Sequence, residues 1–157
     1  MFTIITVAWN VADGLRQTLD SIFSQSYQDY ECIVQDGGST DGTLAVAQSF
    51  LPHDQLRVFS EKDGGIYDAM NRATEQSKGK WIIYLNAGDR FHDHKVLSRM
   101  QQRLKALPLG VVYGNVLGEY VGYQVRHRPA AIELLWLRKP YHHQAMFIAG
   151  ALARDNP

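Results

Sequence analysis

Carboxylates, glycines and histidines are spaced along this chain in a way that could hold a phosphorylated ligand and a cation. Asp36, Asp63 with Asp68, and Asp89 each fall at or just after a predicted strand end, or where a loop enters a helix. The carboxyl ends of parallel strands lie along one sheet edge, so Asp36 and Asp89 could face a common crevice. Such a rim suits a hard divalent cation, which takes oxygen ligands and often bridges a substrate's phosphates. Asp89 is the metal candidate; the competing reading is a turn or capping aspartate before Phe91 to Leu97. Asn86 either contacts a ligand or serves only the turn.

Two glycine-rich stretches extend this chemistry. In Asp36-Gly37-Gly38-Ser39-Thr40-Asp41-Gly42-Thr43, the apolar run from Tyr30 to Val34 leads straight into the aspartate. Gly37 and Gly38 permit positive φ or close approach of a ligand, and Thr40 or Asp41 can cap the helix that follows. A plain strand-to-helix turn would use the same residues. Asp63-Gly64-Gly65-Ile66-Tyr67-Asp68-Ala69-Met70-Asn71 again sets two glycines before a helix, whose free N–H groups could meet a phosphate. Asp68 and Asn71 share a helix face, which is a ligand surface or a solvated one. Lys62 and Arg72 could neutralise phosphates or be surface charge.

His142-His143-Gln144 precedes an apolar run. In an extended backbone the two rings point to opposite faces, so at most one faces the crevice. Imidazole suits acid–base work near neutrality, and a polar loop pair is the alternative. His92-Asp93-His94 lacks the further ligands zinc requires and reads as helix-start polarity.

The elements that must position these groups follow from periodicity. Thr3 to Ala8, Tyr30 to Gln35, Leu56 to Ser60 and Trp81 to Leu85 read as strands, the first and last near-continuously apolar as buried parallel strands are. Helices are expected over Asp13 to Ser26, Thr43 to Phe50, Ile66 to Gln76 and Val96 to Leu107. Val111 to Tyr113, Glu119 to Arg128 and Gln144 to Ile148 are further strands, and Ala151 to Pro157 complete no element. Repeated alternation predicts an α/β fold with a largely parallel sheet and right-handed crossovers.

The chain has 157 residues, 45% hydrophobic and 20% charged, so one globular domain is expected. Sixteen basic residues balance sixteen acidic ones, which disfavours nucleic acid as a partner. The single Cys32 excludes an intrachain disulfide and reads as a buried small hydrophobe. Phe2 to Trp9 is a first strand, not a signal peptide, and no stretch approaches the ~20 apolar residues of a membrane span. A cytoplasmic setting is the expectation.

Four segments in order carry a family resemblance: Thr3 to Asn10, Asp36 to Thr43, Gly65 to Asn71, and Leu85-Asn86-Ala87-Gly88-Asp89. Together they resemble family 2 glycosyltransferases of the GT-A fold, a Rossmann-like sheet flanked by helices. His143 to Phe147 is similar to a His-Gln-Ala-x-Phe segment of the bacterial exopolysaccharide, colanic-acid-type branch. The resemblance implies inverting transfer of a sugar from a UDP- or GDP-sugar to a hydroxyl on a glycan or lipid-linked glycan. It implies that Val7, Ala8, Trp9 and Asp36 hold the nucleoside, and that Asp63, Gly65, Asp68 and Asn71 approach ribose, phosphates or sugar. Asn86 would join the donor-binding residues, and Asp89 would bind the Mn2+ or Mg2+ that spans the diphosphate.

Two departures matter. Asn86 and Gly88 stand where the family often has another acid. Relatives also continue into a later segment with the carboxylate that deprotonates the acceptor, so residues 1–157 are expected to be one GT-A domain with its donor-binding portion complete and its acceptor and base segment missing. His143 is then the fallback base, and donor binding with weak or no transfer is expected. A non-catalytic nucleotide-sugar-binding module is the alternative; a phosphate-binding response-type α/β domain explains the alternation but not the joint motifs. Ile132 to Lys139 reads as a core helix with snorkelling cations, or as a contact for an inner-membrane surface, a lipid-linked acceptor or a second copy.

Overall fold

The computed structural model describes residues 1–107, 110–128 and 143–156. In chain order the elements are β1 (Phe2–Ala8), α1 (Ala12–Phe23), β2 (Tyr30–Asp36), α2 (Thr43–Ser49), β3 (Leu56–Ser60), α3 (Ile66–Glu75), β4 (Trp81–Tyr84) and α4 (Val96–Leu104). They continue with β5 (Val111–Tyr113), β6 (Val116–Tyr120), β7 (Tyr123–His127), β8 (Met146–Ala149) and α5 (Gly150–Asp155). Six strands form one sheet in the order β3-β2-β1-β4-β8-β5, with β6 and β7 as a separate hairpin.

β1 and β2 are buried at every residue because helices cover both sheet faces. Side chains alternate between two cores. Phe2, Ile4, Cys32, Val34, Trp81 and Ile83 pack beneath Leu15, Leu19 and Ile22 of α1, Val46 and Ala47 of α2, and Leu97 and Leu104 of α4. Ile5, Val7, Ile33 and Ile82 face the other way, onto Ala69, Met70 and Ala73 of α3 and Ala153 of α5. This is the period-2 rule of a strand serving two layers. The small residues of α3 bring that helix close to the sheet.

β3, β2, β1 and β4 are parallel, whereas β8 runs antiparallel to both β4 and β5. The chain builds outward from β1 to β3, then crosses back to place β4 on the other side of β1. The strand order therefore reverses between β1 and β4, which is where ligands enter open α/β sheets.

Differences from the sequence reading concentrate after β4. Glu119 to Arg128 is not one strand: Gly122, at φ 85°, turns the chain so that Tyr120 stacks on Tyr123. His143–Ala145 forms a 3-10 turn before β8, so His143 is not in an extended strand. Gly150–Asp155 is a helix whose Arg154 Nη1 donates to Ser77 Oγ at 3.2 Å and Gly79 O at 3.3 Å; at six residues it is too short to show a period. α1 ends at Phe23, α4 at Leu104. His142 and the ridge from Ile132 to Lys139 lie outside the described residues.

Cys32 and Tyr30 report on the core. Burial pushes the Cys32 thiol well above its ordinary range and raises the Tyr30 phenol to about 12. The Tyr30 hydroxyl donates to Ile22 O at 3.1 Å, tying β2 to α1. A phenol that holds its proton longer when folded contributes stability below its unfolded value near 10, and that contribution is lost as pH rises through about 12. Denaturation midpoints are expected to fall across this alkaline window, and less steeply in Tyr30→Phe. Identical alkaline profiles for the two proteins would contradict the assignment.

Candidate functional site

At the reversal between β1 and β4 lies an open cavity of about 360 Å³. The end of β1 supplies Val7, Ala8 and Trp9; the loop after β4 supplies Asn86 and Ala87; the entry to α3 supplies Asp63, Gly65, Ile66 and Ala69. A second recess of about 250 Å³ shares Trp9, Asp63 and Gly65 and adds Gly37 and Lys62. A Cβ at Gly37 would lie 2.7 Å from Asp63 Oδ2, so a larger residue there would displace that carboxylate from its place on the wall. The exposed Trp9 ring forms an apolar lip on this cleft.

Local hydrogen bonds fix its walls. Ala87 N donates to Val7 O and Leu85 N to Ile5 O, carrying the β1–β4 pairing beyond the strand end. Asn10, at φ 49°, is a conformation that asparagine tolerates better than most residues. Its N–H donates to Ser39 Oγ at 2.8 Å and its Oδ1 accepts from Thr40 N at 2.9 Å, clamping the end of β1 to the loop after β2. Asp41 Oδ1 accepts from Thr43 N at 2.8 Å, so Asp41 serves the start of α2.

The sequence-predicted residues separate into two sets. Val7, Ala8, Trp9, Asp63, Gly65 and Asn86 come together on the cavity wall. Asp36 lies on the same sheet edge but one strand away, because β2 is outside the reversal. It is fully buried, and its carboxylate accepts from Ser39 N and Oγ and from Ser60 Oγ. Asp68 turns back to accept from Gly64 N at 2.8 Å and pairs with Arg72 at 2.9 Å, which together hold its carboxyl below the usual range. α3 turns Ile66 and Ala69 to the cavity, and Asp68 and Asn71 are not on its wall.

Asp89 sits one turn beyond the wall, its N–H donating to Asn86 O at 2.8 Å. Burial raises its carboxyl above the ordinary value, opposed by a hydrogen bond from Gln144. Asn86 Nδ2 is 3.1 Å from His143 Nε2. Asn86 Oδ1 and Gln144 Oε1 are buried with no hydrogen-bond partner among the described residues.

Sequence reasoning missed Thr18 of α1. Its hydroxyl accepts from Gly88 N at 3.0 Å and donates to Asp89 O at 2.6 Å, holding the metal-candidate loop from below. The available signal was a hydroxyl inside the apolar stripe of Leu15, Leu19 and Ile22. His92 to His94 is helix-start polarity as read: Asp93 accepts from Lys95 N and pairs with Arg99.

Among the described residues no three His, Cys, Asp or Glu side chains are grouped to hold a metal ion. The donor set still fits a hard cation shared with a ligand: Asp89 supplies a carboxylate, the Asn86 carbonyl oxygen is uncommitted, and phosphates and water complete such shells.

Comparisons with known proteins agree with this geometry. A PGL/p-HBAD biosynthesis glycosyltransferase of Mycobacterium bovis (strain BCG / Pasteur 1173P2) is 36% identical over 160 residues, covering 100% of this chain. The chain spans 62% of that relative's length. A putative teichuronic acid biosynthesis glycosyltransferase, TuaG of Bacillus subtilis (strain 168), is 28% identical over 64% of this chain and 41% of its own. Among solved structures, the mannosyltransferase PcManGT from Pyrobaculum calidifontis in complex with GDP-Man and Mn2+ has a TM-score of 0.65 at 25% identity, over 71% of this chain and 34% of its own. S. aureus TarS 1-349 in complex with UDP-GlcNAc superposes at a TM-score of 0.77 and 20% identity, over 99% of this chain and 47% of its own, and shows a shared GT-A fold. The glycosyl transferase family 2 model matches residues 3–155, and the chain belongs to that family.

Proposed function

We propose that this chain binds the nucleotide-diphosphate-sugar donor of an inverting glycosyltransferase that builds cell-surface polysaccharide or glycolipid on the cytoplasmic side. The observation that carries the reading is the cavity at the β1–β4 reversal, walled by Val7 to Trp9, Asp63, Gly65 and Asn86, with Asp89 one turn away. The mannosyltransferase complex with GDP-Man supports a nucleotide-sugar donor, and relatives named for PGL/p-HBAD and teichuronic acid biosynthesis support a biosynthetic glycosyl transfer. The narrower colanic-acid-type placement rests on His143 to Phe147 alone.

Trp9 offers a face for stacking a base, and the Asp63 carboxylate, whose Oδ1 accepts from Gly65 N at 2.9 Å, suits a ligand hydroxyl; the N–H groups of Gly64 and Gly65 are already taken by Asp68 and Asp63. Asp36 sets the loop after β2 from beneath through Ser39, and touches the nucleoside only if that loop rearranges. Asp68 and Asn71 join the site only if the entry to α3 closes over the donor. Asp89 would hold Mn2+ or Mg2+ together with the diphosphate, and the bound ion supplies Lewis acidity that offsets charge on the departing nucleoside diphosphate. His143 Nε2 is engaged by Asn86, which favours a second reading, nucleotide-sugar binding without transfer by this chain alone. The acceptor, a glycan or lipid-linked glycan, and any membrane contact or self-association through Ile132 to Lys139 remain part of the proposal. Among the described residues no helix is long and apolar enough to cross a membrane.

Calorimetric titration of this chain with UDP-GlcNAc and GDP-Man, with and without Mn2+, tests the reading. One donor is expected to bind with Kd between about 1 µM and 1 mM. Mn2+ should tighten that binding, and the emission of Trp9 should change. No heat and no fluorescence change with either donor in Mn2+ would refute it.

A further inference from the structure

We propose that His143 and Gln144 are positioning residues for the donor site, one setting the polarity of Asn86 and the other the direction of Asp89; this rests on the donor-binding reading above. The two stand on the 3-10 turn at the start of β8, a strand that enters from the far end of the sequence and pairs with β4. Gly114 N donates to Ala145 O at 2.7 Å and anchors this turn from the other side. It therefore stands against the loop holding Asn86 and Asp89 on a fixed backbone.

An asparagine amide can turn over, exchanging a donor for an acceptor at the same place. Asn86 Nδ2 lies 3.1 Å from His143 Nε2, and the amide can donate there only if that nitrogen carries a lone pair. His143 must then be protonated on Nδ1, the less common form of a free neutral imidazole. The consequence falls on the other end of the amide: Asn86 Oδ1, which has no partner among the described residues, is left as an acceptor. With the opposite tautomer His143 Nε2–H would take that oxygen, and the cavity wall would offer an N–H instead. The tautomer thus decides whether the site accepts from a ligand hydroxyl or N–H, or donates to it.

Gln144 works on the neighbouring group. It donates to the Asp89 carboxylate through its amide N–H, and its own Oε1 is without a partner among the described residues. That bond directs one carboxylate oxygen, as outer-shell partners of metal ligands do. Neither side chain is assigned contact with a reacting atom.

The tautomer is read on this chain by long-range 1H–15N correlation of the imidazole nitrogens. His143 is expected with Nδ1 protonated, changing to the Nε2–H form in Asn86→Ala; an Nε2–H ring in the wild type overturns the proposal without any ligand. Binding of UDP-GlcNAc or GDP-Man in Mn2+ gives the second arm. His143→Phe should weaken it about tenfold or more, His143→Gln, whose carbonyl can replace Nε2 as acceptor, should restore most of it, and Gln144→Leu should weaken Mn2+ enhancement about tenfold or more. Wild-type affinity in both His143→Phe and Gln144→Leu also overturns it. A wild type that binds neither donor defeats the donor-binding reading, a result distinct from binding that the variants leave untouched.

Discussion

Gly79→Ala is expected to destabilise the fold by about 3 kcal/mol, the upper end of what overpacking usually costs. A Cβ at this position would lie 2.5 Å from both the N and the Oγ1 of Thr3 and 2.7 Å from the carbonyl carbon of Phe2. None of these atoms can step aside. Thr3 is in the central strand β1, paired with Glu31 of β2 and Ile82 of β4. Its hydroxyl donates to Glu31 Oε1 at 2.7 Å and accepts from Gly79 N at 2.8 Å. Glu31 in turn accepts from Lys78 N and pairs with Arg57. Moving β1 to admit a methyl group would disturb that buried network and two strand registers. A fall in Tm of about 6–12 °C is expected for a domain of this size. Gly42→Ala is the control, since its Cβ would meet only Ala12 at 3.8 Å. A Gly79→Ala melting point equal to that of the control would show that the approach of this loop to β1 is looser than described.

Asp89→Asn is expected to have opposite effects on binding and on stability. Loss of the carboxylate should remove most of the Mn2+-dependent gain in donor affinity, at least about thirtyfold, or roughly 2 kcal/mol. Binding without metal should change little. The stability argument runs through desolvation. Burial is the largest influence on Asp89 and raises its carboxyl, so at neutral pH the ionised group is less comfortable folded than unfolded. The strain is present above the raised value and disappears as pH falls through it. The neutral amide should therefore melt at or above the wild-type temperature near neutrality, with the advantage shrinking in acid. A stabilised, metal-blind variant is the pattern of a residue kept for a ligand. Loss of stability together with unchanged Mn2+ dependence would instead make Asp89 a turn residue held by Thr18 and Gln144.

Strands β1 to β4 and the helices between them were legible because each carries a strong local signal: continuous apolar runs for strands covered on both faces, three- and four-residue spacing for helices. Loop positions singled out Asp63 and Asn86, and the family resemblance added Val7 and Trp9; all four line the cavity. What local pattern does not contain is strand order. Asp36 and Asp89 look equivalent along the chain, yet β4 lies beside β1 on the side away from β2, and that crossing leaves Asp36 beneath serines. The hydroxyl of Thr18 and the amide of Gln144 reach the loop after β4 from elements far apart in sequence, so no spacing rule connects them. α5 and the β6–β7 hairpin were missed for another reason: six residues show no helical period, and a single turn glycine split a run that otherwise alternates as one strand.

The placement of β8 also has a consequence for biogenesis. β5 is made early, but its neighbour in the sheet is β8, which emerges only after the hairpin and the segment beyond it. A nascent chain paused before Met146 therefore has an unzipped margin on β4 and a stray strand in β5. Both offer unpaired backbone groups to another nascent copy. Slow translation through this interval should favour chaperone dependence and intermolecular zippering, while the strands and helices that wall the cavity between β1 and β4 are already made.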